Sequence, residues 1–389
     1  MITVQRRLES PRWLKLAIPV ISVVLALVFA GLVLLATAHD PLTTYTQVVQ
    51  AAFTGTGAFS ATLISATPLV LTGLAAAIAF GMRVWNIGGE GQLYMGAIGA
   101  SGIGLALGGR PAALVIAAMI VGGALTGAMW ASIPGLLRAY LNTNEILTSL
   151  MLNYVAGLVL YYLIFDSKSY WRDLTSPSAK VFPQGRTLGP AATWPGITVS
   201  GLTIPFGLVL AVILAAALWV MLRSTPFGFE MRVIGDAPSA GRYAGMRTRR
   251  TLFAVMLLSG ALAGIGGASQ VGDFSHVLDP RGLQQAAYGY TGIVVAALAR
   301  YSPLGAVLSA ILLGALINAG FSLQGPSFPQ GLVGVTEGII LFCVLAGELI
   351  ARYRVGIRRR PVAPATHEEV SPAQSGQRTD VTVGKGGGA

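Results

Sequence analysis

The chain has 389 residues, 54% of them hydrophobic and only 11% charged, and its mean hydropathy is +0.69. A soluble domain carries about 25% charged residues to clothe itself for water, so an ordinary soluble enzyme or scaffold is excluded and most of this surface must face lipid. The net charge of +11 leaves nucleic acid or membrane topology as its explanation. The lone Cys343 rules out an internal disulfide or thiolate cluster, and His39, His276 and His367 have no ligand spacing, so no metal is expected.

A bilayer core of roughly 30 Å needs about 20 apolar residues per helix. The first such run, Leu16–Ala38, follows Arg6, Arg7, Arg12 and Lys15. Its end, Ala36-Thr37-Ala38, resembles a cleavage site, but the run is longer than the roughly 7–15 residues of a signal-peptide core, so an uncleaved helix is expected. Next come Ser60–Phe80, a glycine-rich Ile87–Leu107, Ala112–Leu137 and Ile146–Phe165. Residues 166–201 are polar and rich in proline and aromatics, an external loop. Leu202–Leu222 and Leu252–Gln270 then flank a second loop, residues 223–250. A short Ala287–Ala299, Leu304–Phe321 and Leu332–Ile350 complete ten spans. The expected fold is an all-α transmembrane bundle over residues 16–350, with the third and eighth helices broken or partial. Residues 1–15 and a disordered basic tail, 351–389, flank it.

With the N-terminus inside, 20 of the 26 Lys and Arg fall on the cytoplasmic side, as the positive-inside rule requires, and ten spans return the C-terminus to the cytoplasm. The charge is therefore topological. Nucleic acid is not an expected partner, and the Arg358–Arg360 cluster suits anionic lipid at about 1 kcal/mol per basic residue.

The polar residues inside the spans carry the functional reading. In Asn86-Ile87-Gly88-Gly89-Glu90-Gly91-Gln92 a carboxylate and two amides sit on a glycine-loosened backbone at a span entrance. An ionised group at the bilayer centre costs at least about 2.5–3.5 kcal/mol, so Glu90 should face protein or a wet cavity. A solvated helix cap at the interface is the competing reading, and the residues alone leave both open. Asn144 suits an N-cap with Glu145 in the first turn, whereas Asn153, two turns further in, needs a partner within the bundle. Glu337 is similarly expensive unless paired, and Glu348 can reach the interface. In the 223–250 loop Asp236 can cap a short helix, Pro238 suits its first turn and Gly245 its end. Such a helix beside the membrane fits a docking element better than a linker. Gly123-x-x-x-Gly127, Gly260-x-x-x-Gly264 and Gly334-x-x-x-Gly338 are compatible with close helix contacts. No nucleotide-binding loop or catalytic triad is present, so this chain carries no ATP site.

At these positions the chain resembles the permeases of type II ABC importers, in the simple-sugar and nucleoside branch. The resemblance rests on Asn86-Ile-Gly88-x-Glu90-Gly91-Gln92, on Asn144-Glu145 with Leu150-Met151-Leu152-Asn153-Tyr154, and on Gly235-x-x-Pro238-x-Ala240-x-x-Tyr243-Ala244-Gly245. Ser259-Gly260-Ala261-Leu262-Ala263-Gly264, Gly289-Tyr290-Thr291-Gly292-Ile293 and Ser302-Pro303-Leu304-Gly305 extend it over residues 83–321. Gly89 stands where another small residue is common. The resemblance implies a multi-pass protein of the bacterial cytoplasmic membrane that moves a small polar solute inward by alternating access. It also implies a second permease subunit, often as a heterodimer, cytoplasmic ATPase subunits that bind ATP and Mg, and an external solute-binding protein. On this reading Asn86, Glu90, Gln92, Asn144, Glu145 and Asn153 line or gate the path, and Asp236, Arg242, Tyr243 and Gly245 dock the ATPase. A stand-alone secondary transporter or channel, and a permease for branched-chain amino acids, are the alternatives.

Overall fold

The structure is a computed structural model that describes residues 2–6, 12–323 and 331–357. Its helices in chain order are α1 (Arg12–Ala36), α2 (Pro41–Val49), α3 (Ala58–Gly81), α4 (Gly89–Ala106) and α5 (Ala112–Leu141). There follow α6 (Glu145–Tyr161), α7 (Pro177–Val181), α8 (Phe206–Ser224), α9 (Pro226–Asp236) and α10 (Pro238–Tyr243). The last five are α11 (Thr248–Ser269), α12 (Pro280–Ala286), α13 (Tyr288–Leu298), α14 (Pro303–Ser322) and α15 (Leu332–Arg352). Each of the ten expected spans has its helix. By length and composition seven can cross a membrane alone: those at α1, α3, α5, α6, α8, α11 and α14. The other three are the glycine-rich α4, the 11-residue α13 and α15. At about 1.5 Å per residue α13 reaches only half-way through a bilayer core, so it is a half-helix, as its short apolar run predicts.

Helix α3 is the axis of the bundle, with 94% of its apolar window buried, against 22% for α6 and 28% for α5. Helices α11, α13 and α14 pack around α3, and α4, α5 and α11 pack on one another. The α4–α5–α11 contact explains two of the three glycine pairs. A Cβ on Gly127 would overlap the Gly260 carbonyl, and one on Gly264 would overlap the Gly123 carbonyl; a Cβ on Gly96 would strike Gly264. Backbone therefore meets backbone, as lipid-embedded helices need where no hydrophobic drive brings them together. The third pair, Gly334 and Gly338, faces nothing among the described residues.

Three expectations are corrected. The sixth span begins at Phe206, because Gly196–Val199 (β1) and Leu202–Pro205 (β2) form a hairpin. Its turn, Ser200-Gly201, takes φ of 51° and 84°, the left-handed pair that two-residue hairpins favour. The tail is ordered further than expected: α15 runs to Arg352, and Tyr353–Ile357 pairs antiparallel with Ile2–Arg6. That pairing brings residues 2–6 and 353–357 together on one side of the bundle. Finally, Asp236 caps nothing; it closes α9, and Ala237 stands at the start of α10. The Arg358–Arg360 cluster, the rest of the tail and the Glu348 side chain lie outside the described residues.

Candidate functional site

Two helix N-termini meet inside the bundle. Helix α13 starts after Ala287, whose left-handed φ of 49° breaks it from α12. Ala287 offers no side-chain cap, so the first N–H groups of α13 need acceptors from elsewhere. Glu90, in the first turn of α4 and 1% exposed, supplies them. Its carboxylate accepts from Gly289 N–H at 2.5 Å and Tyr290 N–H at 3.3 Å, and from the Tyr94 hydroxyl at 2.6 Å. Carboxylate and helix N-terminus attract each other through the dipole as well. The approach requires Gly289, since a Cβ there would overlap the Glu90 backbone. Glu90 is thus a cap after all, but of another helix and in the protein interior; the solvated-cap reading is excluded.

Asn153 joins a third helix to this point. From α6, and 4% exposed, its Oδ1 accepts from Gly91 N–H at 2.9 Å. Its Nδ2 donates to the Ile87 carbonyl at 2.9 Å and to the Tyr290 hydroxyl at 3.2 Å. So α4, α6 and α13 are cross-braced at one level. Above this floor lies a cleft of about 410 Å³. Glu90 and Asn153 form its base, Tyr94, Tyr154, Tyr161 and Tyr290 give it aromatic walls, and Gly157, Leu158 and Gln284 complete it.

The remaining path candidates lie elsewhere. Asn86 and Gln92 are buried but form a reciprocal carboxamide pair, each Nδ2 or Nε2 donating to the other's oxygen at 3.0 Å. Asn86 Nδ2 also donates to Ser259 Oγ at 2.9 Å, and Asn86 Oδ1 accepts from Gly88 N–H at 3.0 Å. They weld α4 to α11 below the floor and do not line the cleft. Asn144 is exposed and caps α6, accepting from Ile146 N–H at 2.9 Å. Glu145 is paired with Arg138 Nε at 3.2 Å and accepts from Trp85 N–H at 3.4 Å, which staples α5 to α6. Glu337 accepts from the Thr291 hydroxyl at 2.9 Å, so it braces the side of α13.

The four docking candidates do share one surface. Arg242 is exposed, Tyr243 is 97% exposed, and Gly245, at φ 78°, ends α10. Asp236 bonds Arg83 at 2.7 Å, and Gly235 lies so close to Met82 that a Cβ would stand 3.1 Å from its backbone. Residues 82–88 then lead directly into α4. The α9–α10 unit is therefore in contact with the segment that carries Glu90.

Residues 58–345 match the family described as the permease component of branched-chain amino acid transport systems. The chain belongs to this family. It is 32% identical to a glucose ABC transporter permease protein of Haloferax volcanii, over 92% of this chain and 95% of that one. It is 29% identical to a nucleoside ABC transporter permease protein of Lactococcus lactis, over 85% and 90%. With a guanosine ABC transporter permease protein of Bacillus subtilis it shares 30%, over 86% and 94%. No solved structure matches the chain. The protein is thus a multi-pass ABC transporter permease, a transport subunit of the type II kind that its motifs resemble.

Sequence reading missed most of the permease's cleft. Tyr94 lies one turn from Glu90 on the same helix face and was within reach of periodicity. Tyr290 stood inside a quoted motif without a role. Gln284 had no signal at all, because only the fold brings the short α12 across to α6.

Proposed function

We propose that this permease moves nucleosides inward through the cleft above Glu90 and Asn153, driven by a separate ATPase. One observation carries the reading: the cleft joins four tyrosine rings to the lightly held Gln284 carboxamide over a floor of Glu90 and Asn153, a lining suited to a planar base. Aromatic faces stack on bases, and amides read their edges. A simple sugar is the second reading, favoured by the 32% identity to the glucose permease.

The cleft also bears on assembly. Its α6 wall, with Tyr154, Leu158 and Tyr161, continues an exposed apolar stripe through Leu147 and Met151. A cleft holding Glu90 and Asn153 cannot open into lipid without exposing polar groups to hydrocarbon. A second permease subunit covering the stripe, in a heterodimer, would close the path. The α9–α10 surface around Arg242 and Tyr243 would receive the ATPase, which binds the ATP and Mg. Its movement would pass through Gly235 and Met82 to the floor, opening the cleft to each side in turn. An external binding protein delivers solute. On this reading both chain ends lie in the cytoplasm, which the distribution of basic residues supports, and the chain sits in a bacterial inner membrane.

The test is uptake of labelled guanosine in cells with and without this gene, with unlabelled nucleosides, ribose and leucine as competitors. Uptake that disappears with the gene and is competed only by nucleosides is expected. Gene-dependent uptake of ribose or leucine in its place would replace the nucleoside assignment.

A further inference from the structure

The polar groups of the cleft floor are already engaged within the protein. Both Glu90 oxygens and both ends of the Asn153 carboxamide are engaged by Tyr94, α13, α4 and Tyr290. A free sugar binds through many short hydrogen bonds, and buried hydroxyls left unmatched are expensive. This floor has little to offer one. The walls differ. Tyr154 is 64% exposed and presents its ring to the cleft beside Tyr290. In the same lining Gln284 makes one long contact, Nε2 to the Gly157 carbonyl at 3.4 Å. A carboxamide so lightly held keeps donor and acceptor capacity for a ligand. Gly157 makes the room: a Cβ there would stand 3.5 Å from Gln284 Nε2 and 3.7 Å from a Tyr94 ring carbon. Those are ordinary contacts, so alanine fits the fold while occupying space between the amide and the ring.

We infer that the permease itself selects solutes by a heteroaromatic base, stacked on Tyr154 and Tyr290 and read at its edge by Gln284 in the space Gly157 leaves open. The inference rests on the nucleoside reading and deepens it. Selection then does not lie wholly with the protein that delivers the solute; the membrane subunit filters a second time. Tyr154 and Gln284 are specificity-determining residues, whereas Glu90 and Asn153 hold the floor.

The assembled permease–ATPase complex, in nanodiscs and without any external binding protein, is titrated with tritiated guanosine, with ribose and glucose as competitors. The expected result is guanosine binding that neither sugar displaces. Base–aromatic stacking is worth about 1–3 kcal/mol by alanine substitution. Tyr154→Leu should therefore weaken guanosine by about five- to 150-fold, and Gln284→Ala, which removes an edge hydrogen bond, by about two- to tenfold. Gly157→Ala should weaken it with an unchanged unfolding temperature, which separates a filled site from a damaged fold. Displacement by ribose or glucose, wild-type affinity in all three variants, or no guanosine binding by the wild-type complex would overturn the inference. Cellular uptake distinguishes the two readings. Gene-dependent nucleoside import alongside unaltered binding in the variants removes the base station alone, whereas absence of such import removes the nucleoside function and the station with it.

Discussion

Removing the Glu90 carboxylate should unlatch α13. In Glu90→Ala the buried Gly289 N–H loses its acceptor, whereas Tyr290 N–H keeps the Ala287 carbonyl at 3.1 Å. A buried donor left unsatisfied costs about 1–3 kcal/mol, and a loss of that order is expected. Glu90→Gln preserves shape and one acceptor oxygen and gives up only the charge assistance, about 1 kcal/mol. The order of stability should be wild type, then Gln, then Ala, read as midpoints of thermal unfolding of the purified permease in detergent. Transport should follow the same order, because the half-helix must hold its place for the floor to open and close as a unit. The Gln variant should still reach the membrane in normal amount. A Glu90→Ala protein that unfolds at the wild-type temperature and transports at the wild-type rate would refute the trans-capping argument, whatever the solute.

Three further outcomes follow from the packing and the docking surface. Gly264→Ala should abolish the folded bundle, since the added methyl overlaps the Gly123 carbonyl; Gly334→Ala, with open space around it, should express and melt like wild type, and size-exclusion profiles would show the difference. Tyr243→Ala and Arg242→Glu should weaken co-purification of the ATPase while leaving membrane insertion and the unfolding temperature unchanged, because both residues are exposed. By contrast, Asp236→Ala removes an ion pair whose side chains are 58% and 75% exposed. A loss below about 1 kcal/mol is expected from the permease alone.

The sequence was most legible where a single periodicity governs. Apolar runs located the helix of each expected span, and the 13-residue run at Ala287–Ala299 announced a half-helix because no full span fits in it. It was least legible where two distant segments share one polar group. Asn86, Gln92 and Glu90 are neighbours in the chain and look like one site. Yet the amides pair with each other, and the carboxylate reaches about 200 residues forward to Gly289. Asn144 and Asn153 carry the same side chain on the same helix, and only depth in the bundle makes one a cap and the other a brace. Gly123, Gly127, Gly260 and Gly264 could all be named from spacing, but that the first pair faces the second required the fold. The chemistry of a position was readable; the partner it spends that chemistry on was not.

The central claim is that this chain is the conduit for nucleosides in an ATP-driven importer. It is tested most directly in proteoliposomes containing the permease pair and its ATPase, with binding protein and labelled guanosine outside and ATP within. Accumulation that needs ATP, persists when the membrane potential is collapsed, and falls at least tenfold with Glu90→Ala is the expected result. Accumulation that ignores ATP and follows a proton or sodium gradient would contradict the account.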